Sequence, residues 1–123
     1  MRVKLCGEEL ELNIDMADAG EVERLEKSVE ELVKNLSDME KDVKKRYSQI
    51  IRGEVIQTRA WLDKMFGEGT GNKVLAEDGS LHDVYHIVNT MSNLHRIYSA
   101  QITNEALNKA LEKYSPKRAK RIE

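Results

Sequence analysis

Two histidines one helical turn apart, His82 and His86, have the spacing that could support metal chemistry. Zinc-binding helices use this separation, but a zinc site needs further protein ligands. His95 falls on the opposite side of the same predicted helix and cannot complete such a site. We therefore expect His82 and His86 to face solvent, and His95 to be half-buried among apolar residues. An enzyme that uses the His82 and His86 face is the less favoured alternative.

The stretch FGEGTGNKVL, residues 66–75, is a second candidate because glycines followed by a lysine can cradle a phosphate. A phosphate-binding loop needs Gly-Lys-Ser/Thr between a strand and a helix. Here Lys73 follows Asn72 and precedes Val74, and the segment before the loop has a helical pattern. We expect no phosphate site. Gly67 is predicted to end a helix, and residues 67–79 to turn the chain as a loop.

The remaining reactive side chains form no recognisable catalytic set. The 22 acidic residues are scattered, and no carboxylate pair stands out among them. Cys6 is predicted to be a small strand side chain, since nothing in its sequence context stabilises a thiolate. The sequence predicts a protein without catalytic residues, metal or cofactor.

Composition narrows the class of protein further. The 123 residues are 40% hydrophobic and 34% charged, with a formal net charge of -2. This charge balance gives no general attraction to nucleic acid or to an anionic membrane. The single cysteine excludes an internal disulfide, and no apolar run approaches the length of a membrane span. We expect a cytoplasmic protein that contacts neither nucleic acid nor membrane.

Hydrophobic periodicity predicts the elements. Period-two alternation on both sides of CGEE predicts an N-terminal β-hairpin over about residues 2–14. Helical spacing then predicts a helix from Asp18 to about Arg46 and a second to Phe66, or one helix with a hinge near Lys44–Ser48. A third helix is predicted from Leu81 to about Tyr114, with a weak point at Thr103–Asn104. The predicted fold is mainly α, with the hairpin followed by three long amphipathic helices and a Gly-rich loop between the second and third. Residues 1–115 are predicted to form one helical domain that includes the hairpin, and residues 116–123 a basic, disordered tail.

The first helix has an apolar seam with alternating spacings of three and four residues, typical of a coiled coil. Its members are Val22, Leu25, Val29, Leu32, Leu36, Met39 and Val43. A helix over 18–46 would be about 43 Å long, whereas a chain of this size has a radius of gyration of about 14 Å. The seam could pair with the third helix of the same chain, or another chain could cover it. We favour the second interpretation, with the seam as a self-association or partner interface.

Three stretches resemble a known family. They are the hairpin VKLCGEELELNI followed by DAGEVERLEKSVEEL, the run WLDKMFGEGTGNKVL, and the helix SLHDVYHIVNTM. Together these stretches are similar to the tail assembly chaperones of siphophages and prophages of Gram-positive bacteria. The most specific element is the motif FGEGT, made of Phe66, Gly67, Glu68, Gly69 and Thr70.

The resemblance implies a non-enzymatic, self-associating protein of the host bacterial cytoplasm that uses no cofactor. Such chaperones coat the helical tape-measure protein before the tail tube polymerises, and they recruit the major tail protein. Those two proteins are therefore the expected partners. A structural virion component, such as a small tail or head-completion protein, is the alternative function.

Overall fold

The protein is mainly helical, as predicted, and begins with a two-stranded antiparallel hairpin. The computed structural model describes residues 1–99 and 105–112. The elements are β1 (Arg2–Leu5), β2 (Glu8–Glu11), α1 (Ala19–Glu40), α2 (Tyr47–Phe66), α3 (Thr70–Val74) and α4 (Leu81–Ser92). Residues 94–99 and 105–112 are also helical.

The chain divides into two compact units, Met1–Ser92 and Asn93–Glu123. The first contains both strands, α1 to α4 and the apolar core that they share. The second contains the helical residues 94–99 and 105–112. One domain over residues 1–115 stays a prediction, and the predicted tail, 116–123, lies outside the described residues.

The hairpin is closed by a two-residue turn, Cys6–Gly7, in which both residues have positive φ, 50° and 83°. A type I′ turn requires positive φ at both positions, and its twist matches that of the strands. Val3 pairs with Leu10, and both side chains are buried on one face of the hairpin. Because β1 packs against α4, this face is covered by a helix rather than by water. Cys6 lies in the turn, so its prediction as a strand residue is wrong.

Helix α1 begins where the sequence predicts and ends earlier than it predicts. The Asp18 side chain accepts hydrogen bonds from the N–H groups of Gly20 and Glu21, at 2.8 and 3.3 Å, and so caps the helix. The helix ends at Glu40 rather than near Arg46. Asp42 is the reason, because its side chain accepts a hydrogen bond from the Lys44 N–H at 3.0 Å. This local turn competes with helical hydrogen bonding.

Helices α1 and α2 pack antiparallel to each other. Trp61 of α2 donates its indole N–H to the backbone oxygen and the hydroxyl of Ser28 in α1, at 3.2 and 3.0 Å. Toward the other end of the pair, a Cβ added at Gly53 would lie 3.8 Å from the Met39 sulfur. The Gln49 side chain accepts from the Arg46 N–H at 3.1 Å, which helps to start α2 beside the end of α1.

Two expectations about the later elements are corrected. The segment 67–79 is not a simple loop, because it contains the short helix α3. Helix α4 ends at Ser92, and residue 93 is a turn, so the long third helix is interrupted. Asparagine at this position has a low helix propensity. The predicted weak point at Thr103–Asn104 lies outside the described residues.

Candidate functional site

The FGEGT motif joins α2 to α3 through backbone conformations that favour glycine. Gly67 follows the last residue of α2 with φ of 114°, and its N–H donates to the Asp63 carbonyl at 3.0 Å. Gly69 precedes α3 with φ of 92°. Side chains other than hydrogen are strained at such angles. Phe66 and Thr70 are half-buried, whereas Glu68 is exposed. The glycines of the motif therefore serve the turn itself.

The N-terminus of α3 is already capped by an acidic side chain of this protein. Asp63 Oδ1 accepts the Gly71 N–H at 2.7 Å. Gly71 is buried, and a Cβ there would lie only 2.5 Å from the carbonyl oxygen of Arg59. Lys73 lies 3.8 Å from Glu8 in β2. The Gly71 N–H, a group that could otherwise bind an anion, is thus used within the chain, where it helps to join α2 to α3.

The predicted interface residues of α1 fall into three groups. Leu25, Val29, Leu32 and Leu36 are buried within this chain. Val22 and Met39 are half-buried, and Val43 lies beyond the end of α1 with its side chain 95% exposed. A second chain is therefore not needed to cover the middle of the seam, because α2 and α4 pack against α1. Contact of a partner with the rest of the seam stays a prediction.

A model of a family of unknown function, DUF6673, matches residues 8–123. The chain belongs to this family. No curated protein and no solved structure matches the chain. The match begins in β2, so it includes the FGEGT joint and every helix among the described residues of this DUF6673 protein.

The three histidines of the DUF6673 protein do not come together. His82 and His86 are exposed on α4, as predicted, and His95 is exposed too, so its predicted half-burial is wrong. Within residues 1–99 and 105–112, no group of three or more His, Cys, Asp or Glu side chains could hold a metal ion. In the same ranges, no helix has both the length and the apolar character to cross a membrane.

The thiol of Cys6 is half-buried in the hairpin turn. Burial, together with the negative charge of Asp83, raises the pKa of this thiol above its ordinary value. A thiol with a raised pKa is less often the thiolate that attacks substrates or binds metals. Cys6 is therefore a poor nucleophile at neutral pH.

The structure brings together two carboxyl groups, those of Glu40 and Glu54, that the sequence did not predict to be neighbours. Glu40 ends α1, and Glu54 lies within α2, where its side chain is 0% exposed. Tyr85 of α4 donates its hydroxyl to Glu40 at 2.7 Å. Glu54 has a helical spacing that could have indicated its burial. It lies four residues after Ile50 and four before Thr58, on the buried face of α2. The partner of Glu54 could not be identified, because it belongs to another helix.

Among the described residues of the DUF6673 protein, the large apolar side chains that are exposed lie mainly on helices. An open groove of about 490 Å³ on α1 includes the half-exposed Val33 beside charged residues. Its lining residues are Val29, Glu30, Val33, Lys34, Ser37, Asp38, Lys41 and Ser92. In the second unit, all residues of the helical segment 105–112 are exposed, including Leu107 and Leu111. These surfaces can contact another protein without any covalent chemistry.

Proposed function

We propose that this protein is a tail assembly chaperone of a siphophage or prophage of Gram-positive bacteria. In this proposal it binds the tape-measure protein and the major tail protein in the host cytoplasm, during tail morphogenesis. It acts by contact, without catalysis or cofactor, and it forms homo-oligomers. The resemblance of the hairpin, the FGEGT run and the SLHDVYHIVNTM helix supplies the identity of the partners.

The observation that carries the proposal is the exposure of apolar side chains on helical segments. Leu107 and Leu111 are one turn apart and both exposed, at 55% and 57%. Side chains at this spacing form one stripe on a helix, which is the feature that helix-binding proteins use to contact an amphipathic partner. A tape-measure protein is a long helical chain, so its apolar stripes are suitable partners.

The helical segment 105–112 gains stability in water when its apolar face is packed. None of its eight described residues is buried. Binding of a partner helix to Leu107 and Leu111 would remove apolar surface from water and stabilise this segment at the same time.

Co-expression with the tape-measure protein encoded in the same genome tests the proposal. We expect the two proteins to copurify, and the double variant Leu107→Glu/Leu111→Glu to reduce the recovered tape-measure protein by at least about tenfold, because it places charge in the apolar contact. The matched control is Lys109→Glu, which adds the same negative charge on the opposite face of the helix. It should copurify like the wild type.

Two results would contradict parts of the proposal. A soluble tape-measure protein that never copurifies with the wild type would contradict the chaperone function. Full copurification of the double variant would contradict the contact through Leu107 and Leu111. Circular dichroism of all variants shows whether the helical fold is kept.

A further inference from the structure

Glu54 is a buried acid without a donor to its carboxylate. Its side chain is 0% exposed, and no donor group among the described residues gives a hydrogen bond to either carboxyl oxygen; the neighbouring group is another acid, Glu40. A buried ionised carboxylate is costly unless it is paired or accepts hydrogen bonds. The environment of Glu54 therefore favours the protonated acid, which is neutral and can donate one hydrogen bond.

The titratable groups around Glu54 come from three helices. Glu40 is contributed by the end of α1, and Tyr85 by α4; Tyr47 at the start of α2 adds a weaker charge effect on Tyr85. Among the described residues, no cation pairs with either carboxyl group. Arg59 of α2 is paired with Glu77, and Lys73 of α3 is paired with Glu8.

Glu40 is the acceptor at the centre of this cluster. It accepts the Tyr85 hydroxyl at 2.7 Å and can accept the proton of Glu54. Burial, then the charge of Glu40, then the hydrogen bond to Glu40 raise the pKa of Glu54 to about 7. The hydrogen bond that Tyr85 donates to Glu40 is the main cause that raises the pKa of Tyr85 to about 12, so this hydroxyl remains a donor at neutral pH.

We propose that Glu54, Glu40 and Tyr85 form a proton-dependent clasp that joins α2, α1 and α4. The clasp is closed when Glu54 is protonated and donates to Glu40, which also accepts from Tyr85. Loss of the proton leaves two adjacent carboxylates, one of them buried without a donor, and their repulsion loosens the contact of α1 with α2. The clasp is independent of the proposed function, because it concerns contacts within one chain.

The direction of the pH effect follows from linkage. The folded-state pKa of Glu54 lies near 7, above its unfolded value of 4.5. Between these two values the folded protein binds more protons than the unfolded protein, so stability decreases as pH rises. The contribution of the clasp is complete below pH 4.5 and is lost as pH rises through about 7.

Urea unfolding of the full chain at pH 5 and pH 8 tests the clasp. From pH 5 to pH 8, we expect the unfolding equilibrium constant of the wild type to rise at least about tenfold more than that of Glu54→Gln. The reason is that the gap between the unfolded and folded pKa values of Glu54 covers most of this pH range. Glutamine at position 54 is the matched control, since its amide can donate to Glu40 and carries no titrating proton. Parallel pH profiles for the two proteins would overturn the proposal.

A second measurement does not depend on any variant. Carboxyl carbon NMR of the labelled wild-type chain should show one glutamate that titrates near pH 7, whereas a Glu54 that titrates below pH 5 would overturn the clasp.

Hydrogen exchange, corrected for its intrinsic pH dependence, tests the contact of Tyr85 in α4 with Glu40. Exchange of α4 amides should accelerate above pH 7 in the wild type and be fast at both pH values in Tyr85→Phe. A corrected exchange rate of the α4 amides that is the same below and above pH 7 in the wild type would also overturn the proposal.

Discussion

At the residue scale, the FGEGT joint depends on a glycine outside the five-residue motif. Gly71 lies at the contact of α3 with α2: its backbone N–H donates to the Asp63 carboxylate, and its Cα lies close to the backbone of Arg59. A sequence match to FGEGT alone would not identify this position as the most constrained one. The constraint is steric and comes from the backbone of the preceding helix.

Gly71→Ala should therefore destabilise the protein. Its Cβ would lie 2.5 Å from the Arg59 carbonyl oxygen, so α3 must shift away from α2. We expect a loss of about 1–3 kcal/mol in the free energy of unfolding, which urea denaturation followed by circular dichroism can measure.

Gly53→Ala is the matched control for this substitution. Its added Cβ would meet the flexible Met39 side chain at 3.8 Å, an ordinary contact, inside helix α2. Alanine should be neutral or stabilising there by up to about 1 kcal/mol, because it favours the helix. If Gly71→Ala proved as harmless as Gly53→Ala, the close packing of α3 on α2 would be wrong.

At the element scale, α1 shows why an apolar seam does not by itself identify an interface. The helix is 22 residues long, shorter than the segment predicted from the periodicity. At this length its central seam residues are buried by the other helices of the same chain. The predicted excess length was the reason to invoke a second chain, and the turn at Asp42 removes most of it.

Leu32→Ala tests whether the seam is internal. Leu32 is 1% exposed, so truncation should cost about 2–5 kcal/mol in unfolding free energy, from lost apolar burial and from the cavity left behind. If the packing is internal, this difference from the wild type should not change with protein concentration.

The neighbouring substitution Val33→Ala provides the comparison. Val33 is 42% exposed on the same helix, so its truncation should cost less than about 1 kcal/mol. A Leu32→Ala loss that grows as the protein is diluted would instead mean that the seam packs against a second molecule.

The sequence predicted the elements that depend on local patterns. Period-two and helical spacings are local, and the hairpin and the start of α1 follow from them. Helix α3 was missed because its cap, Asp63, lies eight residues before Gly71 and on another helix. The pair of Glu40 and Glu54 was missed for the same reason, since it forms only when α1 and α2 pack together.

At the scale of the whole molecule, the proposed function predicts where the protein is found. An assembly chaperone leaves its partners before the tail is complete, whereas a structural virion component stays in the particle. We expect mass spectrometry to detect this protein in lysates of induced cells and not in purified mature particles. The major tail protein in the same particles is the positive control. Recovery of this protein at a fixed ratio to the major tail protein would favour the structural alternative.

The indole hydrogen bonds of Trp61 give the molecule a built-in optical reporter. This is the sole tryptophan of the chain, and it is buried at the contact of α2 with Ser28. Its emission should shift to longer wavelength when the first two helices separate and water reaches the ring. Separation of this helix pair can thus be followed in the unmodified protein, without attaching a dye.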